Sequence, residues 1–355
     1  MIWFDLVTPK SVMFFKGMIN AIKDRGRSVL VTSRSSNGYQ ETVDLLNLHD
    51  IEHTSVGEFG GKDLRCKLKA SLDRQFQFME FVAEREIEKL VTLCSVDANR
   101  VAFGLGIPII NFYDIPLSDY RTNFKKALPQ ARLTIPLSTS VFRPFVVPRE
   151  IFLRFSLEED QIHEYQFLDP LIWLKDFEPS RERADAILEE AGADPKKPLI
   201  LVREEEYKAS YVSRQYPFLY EALPKINAEI AANIVIIPRY EHQYLKKLFP
   251  FAYVLEKKVE IQHLLAQASV FIGGGGTINT EATYFGTPTI STRSFVSHYD
   301  KYLIDSGLMV WVHDEKGLRA QVRQAFERNY SELAQRVYGA MTLKMDEIVE
   351  GLLCL

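Results

Sequence analysis

Four consecutive glycines, Gly273 to Gly276, stand between the apolar run Val270-Phe271-Ile272 and a segment of helical character, Thr277-Ile278-Asn279-Thr280-Glu281-Ala282. Residues without side chains let backbone N–H groups approach a ligand closely, and the N-terminus of the following helix carries partial positive charge. Gly274, Gly275, Gly276 and Thr277 are therefore candidates to bind a diphosphate; the alternative is a tight strand-to-helix turn with no ligand. Glu281 falls one helical turn beyond Thr277, on the face that looks back over the loop. A carboxylate beside phosphate is costly unless it accepts hydrogen bonds, as from ribose hydroxyls, so the pairing points to a nucleotide. The other reading of Glu281 is a solvated acid that stabilises the helix dipole. Arg203 ends the apolar run Leu199-Ile200-Leu201-Val202, Arg239 follows Ile236-Ile237-Pro238, and Lys208 and Ser210 lie in the stretch after Arg203. Open α/β sheets bind ligands at the carboxyl ends of their strands, which makes these side chains candidate phosphate partners, with ion pairs to nearby acids as the alternative.

Other ligand patterns fail on their spacing. Counted from Gly273, the third glycine of G-x-G-x-x-G falls on Ile278, so a nicotinamide cofactor is not expected. At Gly60-Gly61-Lys62, Val56 occupies the first glycine position of a Walker loop and Asp63 the hydroxyl position, so ATP hydrolysis is not expected either. The sequence contains no Asp-x-Asp clamp for magnesium, and Cys66, Cys94 and Cys354 are odd in number without paired spacing. No cofactor and no metal are expected, and His49 and His53, flanking a turn, read as surface residues.

Something must hold these residues at strand ends. Short β-branched runs alternate with amphipathic stretches, the pattern of parallel strands joined by crossover helices, and the class is α/β. The first half predicts strands near 2 to 7, 28 to 32, 51 to 56, 90 to 94 and 107 to 112. The second predicts strands near 199 to 203, 233 to 237, 252 to 255, 269 to 273, 288 to 291 and 308 to 312, with a helical tail from about 318 to 353. Val12, Phe15, Ile19 and Ile22 recur on one face of a first helix that begins near Pro9 to Ser11 and stops at Gly26. A chain of 355 residues fits two domains. The boundaries expected are 1–170 and 171–335, with 336–355 a C-terminal helix packing back toward the first.

Composition narrows the partners. With 43 basic and 47 acidic residues, no global field draws the chain to nucleic acid. The N-terminus lacks a basic region and meets Asp5 too early for a signal peptide, and no apolar run approaches the ~18 residues of a transmembrane segment, so a cytoplasmic location is expected. Leu64, Leu68 and Leu72 share a helical face among basic residues. A core-facing stripe is the expectation. A peripheral surface for the inner membrane or a lipid-linked acceptor is the alternative.

Several blocks together carry a resemblance: Phe14-Phe15-Lys16, Arg100 to Pro108, Lys208-Ala209-Ser210-Tyr211, Pro238-Arg239-Tyr240, Gly273 to Glu281 with Tyr284 to Ser291, and Asp300-Lys301-Tyr302-Leu303-Ile304. Over nearly its whole length the chain resembles the prokaryotic domain-of-unknown-function 354 family, related to UDP-N-acetylglucosamine 2-epimerase and the lipid-II-forming N-acetylglucosaminyltransferase. The resemblance implies a GT-B fold: two Rossmann-like, doubly wound parallel-sheet domains with an interdomain cleft. It further implies a UDP-sugar donor, with the glycine loop, Thr277 and Arg203 on the diphosphate, Glu281 on the ribose and the Pro238 to Tyr240 turn on the base. His298, shortly before Asp300, would lie where the donor sugar projects.

The departures fall on the other half. The family pattern carries a histidine before the paired phenylalanines and another after the fourth strand, where this chain has Ser11 and Leu93, and an acidic pair near the domain crossover appears as Asp169-Pro170. An inverting transfer needs a base for the acceptor hydroxyl proton, which leaves Asp114 and Asp119 as candidates, Asp5 behind them, and Ser11 at the position a catalytic histidine would take. The function expected is a metal-independent, nucleotide-sugar-dependent glycosyltransferase whose acceptor is open, a lipid-linked or polysaccharide hydroxyl among the candidates. Epimerisation or hydrolysis of the sugar nucleotide, and binding without catalysis, are the alternatives.

Overall fold

A computed structural model describes residues 1–36, 39–61, 63–204, 218–239 and 242–355. The chain forms two α/β units, one of Met1–Trp173 with Thr342–Leu355, the other of Leu174–Met341. In the first, β1 (Ile2–Asp5), β2 (Val29–Ser33), β3 (Thr54–Ser55), β4 (Lys89–Thr92), β5 (Ile109–Phe112), β6 (Ser140–Pro144) and β7 (Ile162–Tyr165) make a sheet ordered β3-β2-β1-β4-β5-β6-β7. In the second, β8 (Leu199–Arg203), β9 (Asn233–Ile237), β10 (Tyr253–Val254), β11 (Val270–Gly273), β12 (Thr289–Ser291) and β13 (Met309–Trp311) are ordered β10-β9-β8-β11-β12-β13. Every pairing in both sheets is parallel. Each sheet winds outward in both directions from its first strand, so each has a switch point, β1 beside β4 and β8 beside β11, where the strand ends open a ligand crevice.

Burial on both faces explains the apolar strands. Ile200, Val202, Ile234, Ile236, Val270 and Ile272 belong to one core of the second unit, and Leu199, Leu201, Val235, Ile237 and Phe271 to the other, the period-two alternation of a strand covered on both sides. In the first unit Trp3, Phe78, Leu90 and Ala102 pack in one cluster. Phe14 and Phe15, both fully buried, meet Phe4, Phe112 and Tyr165 edge-on or tilted. The paired phenylalanines are therefore packing residues. The first helix, Pro9–Asp24, starts at an N-cap Thr8 and ends before Gly26 at φ +73°, a left-handed stop.

Two sequence expectations need correction, those for the strands of the first sheet and for the leucine stripe, and the helical tail gains detail. Strands β6 and β7 escaped detection because one ends in Arg143-Pro144 and the other, Ile-His-Glu-Tyr, is a polar edge strand. The tail is three helices, Glu315–Ala325, Ser331–Gly339 and Met345–Cys354; the last belongs to the first unit, where Lys89 Nζ donates to the Leu352 carbonyl at 3.0 Å. The Leu64, Leu68 and Leu72 stripe is not core: these side chains are 76%, 62% and 56% exposed. On the same helix, Leu64–Ala83, the buried face is Arg74, Phe78 and Val82. Both faces have helical spacing, and the second wins because Phe78 packs on Trp3 and Arg74 reaches Asp5 at the end of β1. Among the described residues no helix is long and apolar enough to cross a membrane.

Candidate functional site

The glycine loop leaves the carboxyl end of β11 at the second switch point. Gly273 must be glycine, since a Cβ there would stand 1.9 Å from Asn279 Oδ1. The Gly274 N–H extends the sheet by donating to the Arg203 carbonyl at 3.0 Å, so it is already used. Gly275 is the N-cap of the helix Gly276–Tyr284 and, as a glycine, supplies no side-chain cap. Gly275, Gly276 and Thr277 are only half-buried, so the first turn of N–H groups is reachable by an anion.

A residue that sequence reasoning missed stands behind this turn. Arg293 follows β12, is 4% exposed, and its Nη1 would lie 3.0 Å from a Cβ on Gly276. Its Nη1 donates to Asp300 Oδ2 at 2.5 Å, and the same oxygen accepts from the Ser297 N–H at 2.8 Å and Oγ at 2.7 Å. Ser297 caps the helix His298–Asp305. Asp300 thus fixes the guanidinium beside the glycine turn, and His298 is buried in the first turn of the next helix. Its one sequence signal is a position two residues past the end of β12, like that of Arg239 after β9, which does not single it out among 43 basic residues.

Glu281 is buried, with Gln262 Nε2 at 3.4 Å from both carboxylate oxygens. Arg203 turns its Nη1 toward the Ile237 and Pro238 carbonyls at the end of β9. Arg239 is exposed, and its backbone N–H donates to Glu204 Oε2 at 3.1 Å. Glu204, also missed from the sequence, is 2% exposed and accepts from the Tyr220 and Tyr244 hydroxyls. Burial, reinforced by that carboxylate, pushes the Tyr244 hydroxyl far above its ordinary value. Lys208, Ser210 and Tyr240 lie outside the described residues.

The first unit carries charge at its strand ends instead. Lys10, in the first turn of the first helix, lies between Asp114 after β5 and Asp169, the latter at 2.6 Å. Burial pulls the Lys10 ammonium down, but the Asp114 and Asp169 charges outweigh it and hold its pKa above the usual value. Asp169 is fully buried and accepts from the Tyr165 hydroxyl at 2.7 Å. Nearby Cys94 adopts φ +54°, and its thiol is pushed up to about 12 by burial and then by Asp114. Asp119 is committed elsewhere, accepting from the Arg121 N–H at 2.9 Å and Nε at 3.1 Å. Asp5 is saturated by Arg74, Thr32 and Ser95. Ser11 is 1% exposed and closes a capping box with Thr8, donating to the Thr8 carbonyl at 2.6 Å. Leu93 is buried apolar surface. Among the described residues no group of three or more His, Cys, Asp or Glu is arranged to hold a metal ion.

The comparisons agree on architecture. An uncharacterized protein of Methanocaldococcus jannaschii is 28% identical over 320 residues, 89% of this chain and 88% of its own length. A structure of UDP-GlcNAc 2-epimerase from Neisseria meningitidis bound to UDP-GlcNAc superposes at TM-score 0.76 with 13% identity, covering 100% of both chains. The Methanocaldococcus jannaschii UDP-GlcNAc 2-epimerase in complex with UDP-GlcNAc and UDP gives 0.69 with 14% identity, covering 95% of this chain and 98% of that one. Spinosyn rhamnosyltransferase SpnG complexed with spinosyn aglycone gives 0.63 with 14% identity, covering 99% of each. At such identities the likeness establishes the fold, which is GT-B, shared by epimerases and glycosyltransferases. The family described as protein of unknown function (DUF354) matches residues 1–349, and the chain belongs to it.

Proposed function

We propose that this protein binds a nucleotide sugar, a UDP-sugar, at the glycine loop of its second unit and transfers the glycosyl unit to an acceptor hydroxyl without a divalent metal. The observation that carries the reading is the half-buried first turn at Gly275 to Thr277, whose N-cap is a glycine, with the Arg293 guanidinium fixed against Gly276. In the transfer, the bond from the anomeric carbon to the diphosphate oxygen breaks and a bond to the acceptor oxygen forms. Charge develops on the leaving diphosphate, where helix N–H groups and a guanidinium stabilise it without metal. Glu281 would accept the ribose hydroxyls, and Arg203 and Arg239, with Lys208 and Ser210, would serve phosphate and base. Asp114, positioned by Lys10, would take the acceptor proton.

One observation favours a second reading. Lys10 with Asp114 and Asp169 gathers one cation and two carboxylates, the kinds of group that epimerisation at the sugar needs, with the Lys10 proton held in place by its two partners. The relatives whose structures carry UDP-GlcNAc are named as 2-epimerases.

Thermal shift with UDP and UDP-sugars, with and without EDTA, tests binding: a ligand at 100 times its dissociation constant adds ~2.7 kcal/mol. Glu281→Gln should weaken that binding by about 1–3 kcal/mol. No shift with any nucleotide, or one that EDTA abolishes, sinks the proposal. Incubation with UDP-GlcNAc then divides the readings. Released UDP supports transfer or hydrolysis, a 2-epimer supports epimerisation, and binding with no product supports a non-catalytic role.

A further inference from the structure

The exposed stripe on the Leu64–Ala83 helix continues past Leu72 to Phe76, 64% exposed, and Met79, 40% exposed. Fifteen residues separate its ends, a length of ~22 Å along a helix. Apolar side chains aligned in this way mark a contact surface rather than scattered surface residues. The stripe reads nearly the same from either end. A two-fold axis at Leu72 sets Leu68 opposite Phe76 of a second copy and Leu64 within one residue, ~1.5 Å along the axis, of the level of Met79, with Leu72 meeting itself.

The flanking charges choose the occupant. At 100° per residue, Arg65, Lys69, Asp73 and Glu80 fall on one flank of the stripe, bases toward the N-terminal end and acids toward the C-terminal end. All four are exposed. When two such helices pack antiparallel, each flank faces itself with its direction reversed, and Arg65 of one copy comes within one residue, ~1.5 Å along the axis, of the level of Glu80 of the other. An anionic bilayer would attract the basic end and repel the acidic end of the same flank. A second copy satisfies both. We propose that the Leu64–Ala83 helix is the two-fold interface of a homodimer, its stripe packed antiparallel on the same stripe of a second chain.

Sedimentation equilibrium of the full chain at micromolar concentration should give twice the 40.9 kDa chain mass. Leu72→Glu should return the monomer with an unchanged melting temperature, because Leu72 is exposed and supports no core of its own chain. Arg65→Glu and Glu80→Arg should each raise the dimer dissociation constant about tenfold by opposing like charges, and the double variant should restore it. A bilayer surface gives the opposite pattern: flotation with phosphatidylglycerol vesicles that weakens in Arg65→Glu, strengthens in Glu80→Arg and disappears in Leu72→Glu. That result overturns the proposal. So does a wild-type chain that stays monomeric at high micromolar concentration, a Leu72→Glu variant that remains dimeric, or a double variant no better than the singles.

Discussion

The carboxyl edges of the two sheets share a winding order and differ in what they do with polar groups. At the first edge charges are spent on one another: Asp5 on Arg74, and Lys10 on Asp114 and Asp169. At the second edge the point of difference is backbone, a helix start whose N-cap is a glycine, beside buried side chains that also hold one another, as Asp300 holds the Arg293 guanidinium. The first arrangement costs much to disturb, because removing one buried ion strands the other. The second costs little to leave empty and gains when an anion arrives. Stability and binding should therefore separate along the boundary between the units.

The largest effect is expected from Arg74→Ala, which leaves the fully buried Asp5 without its counter-ion. Urea unfolding should show a loss of about 3–5 kcal/mol, with UDP affinity unchanged in the fraction that folds. A loss under ~1 kcal/mol would mean water reaches Asp5 and the first edge is not a sealed network. Next, Arg293→Lys keeps a cation for Asp300 but loses the planar fork, and calorimetry should show UDP binding about tenfold weaker, or 1.4 kcal/mol. Equal affinity would move the phosphate away from Gly276. Third, Ser11→Ala removes half of the capping box at the first helix and should cost about 1 kcal/mol of stability with no change in UDP binding. A change in turnover with no change in melting would reverse that assignment and return Ser11 to the chemistry.

The smallest effect tests pH. Burial raises the Asp119 carboxyl, but the Arg121 N–H and guanidinium outweigh it and hold the pKa below the ordinary value of 3.8. A depressed folded value means stability that is present above the unfolded pKa and lost as pH falls through the folded one. In Asp119→Asn the acid limb of the melting curve below about pH 4 should be slightly shallower, and little else should change. A steeper limb would contradict the sign.

Much of this architecture was legible in the chain. Leu199–Arg203 and Asn233–Ile237 read as strands because β-branched runs of that length, bounded by Pro198 and Pro238, have no other stable form when both faces are covered. The glycine block was legible as a tight strand-to-helix turn, and only glycine tolerates the approach that Gly273 makes to Asn279. Arg293 and Lys10 were not, since each is one basic residue among 43 until the fold sets the first beside the glycine turn and the second between two carboxylates.

The local sequence by itself determined where the apolar, two-face-covered strands and the first helix form and where Gly26 must turn, because periodicity and backbone freedom are properties of neighbours in the chain. Tertiary structure alone decided the pairings: that Arg74 rather than Leu72 faces the sheet, that Asp300 holds Arg293, and that Lys10 stands between Asp114 and Asp169. Two stripes on one helix satisfy the same spacing, and a carboxylate specifies no partner. Burial and distance make the choice, and both exist only once segments far apart in sequence are packed together.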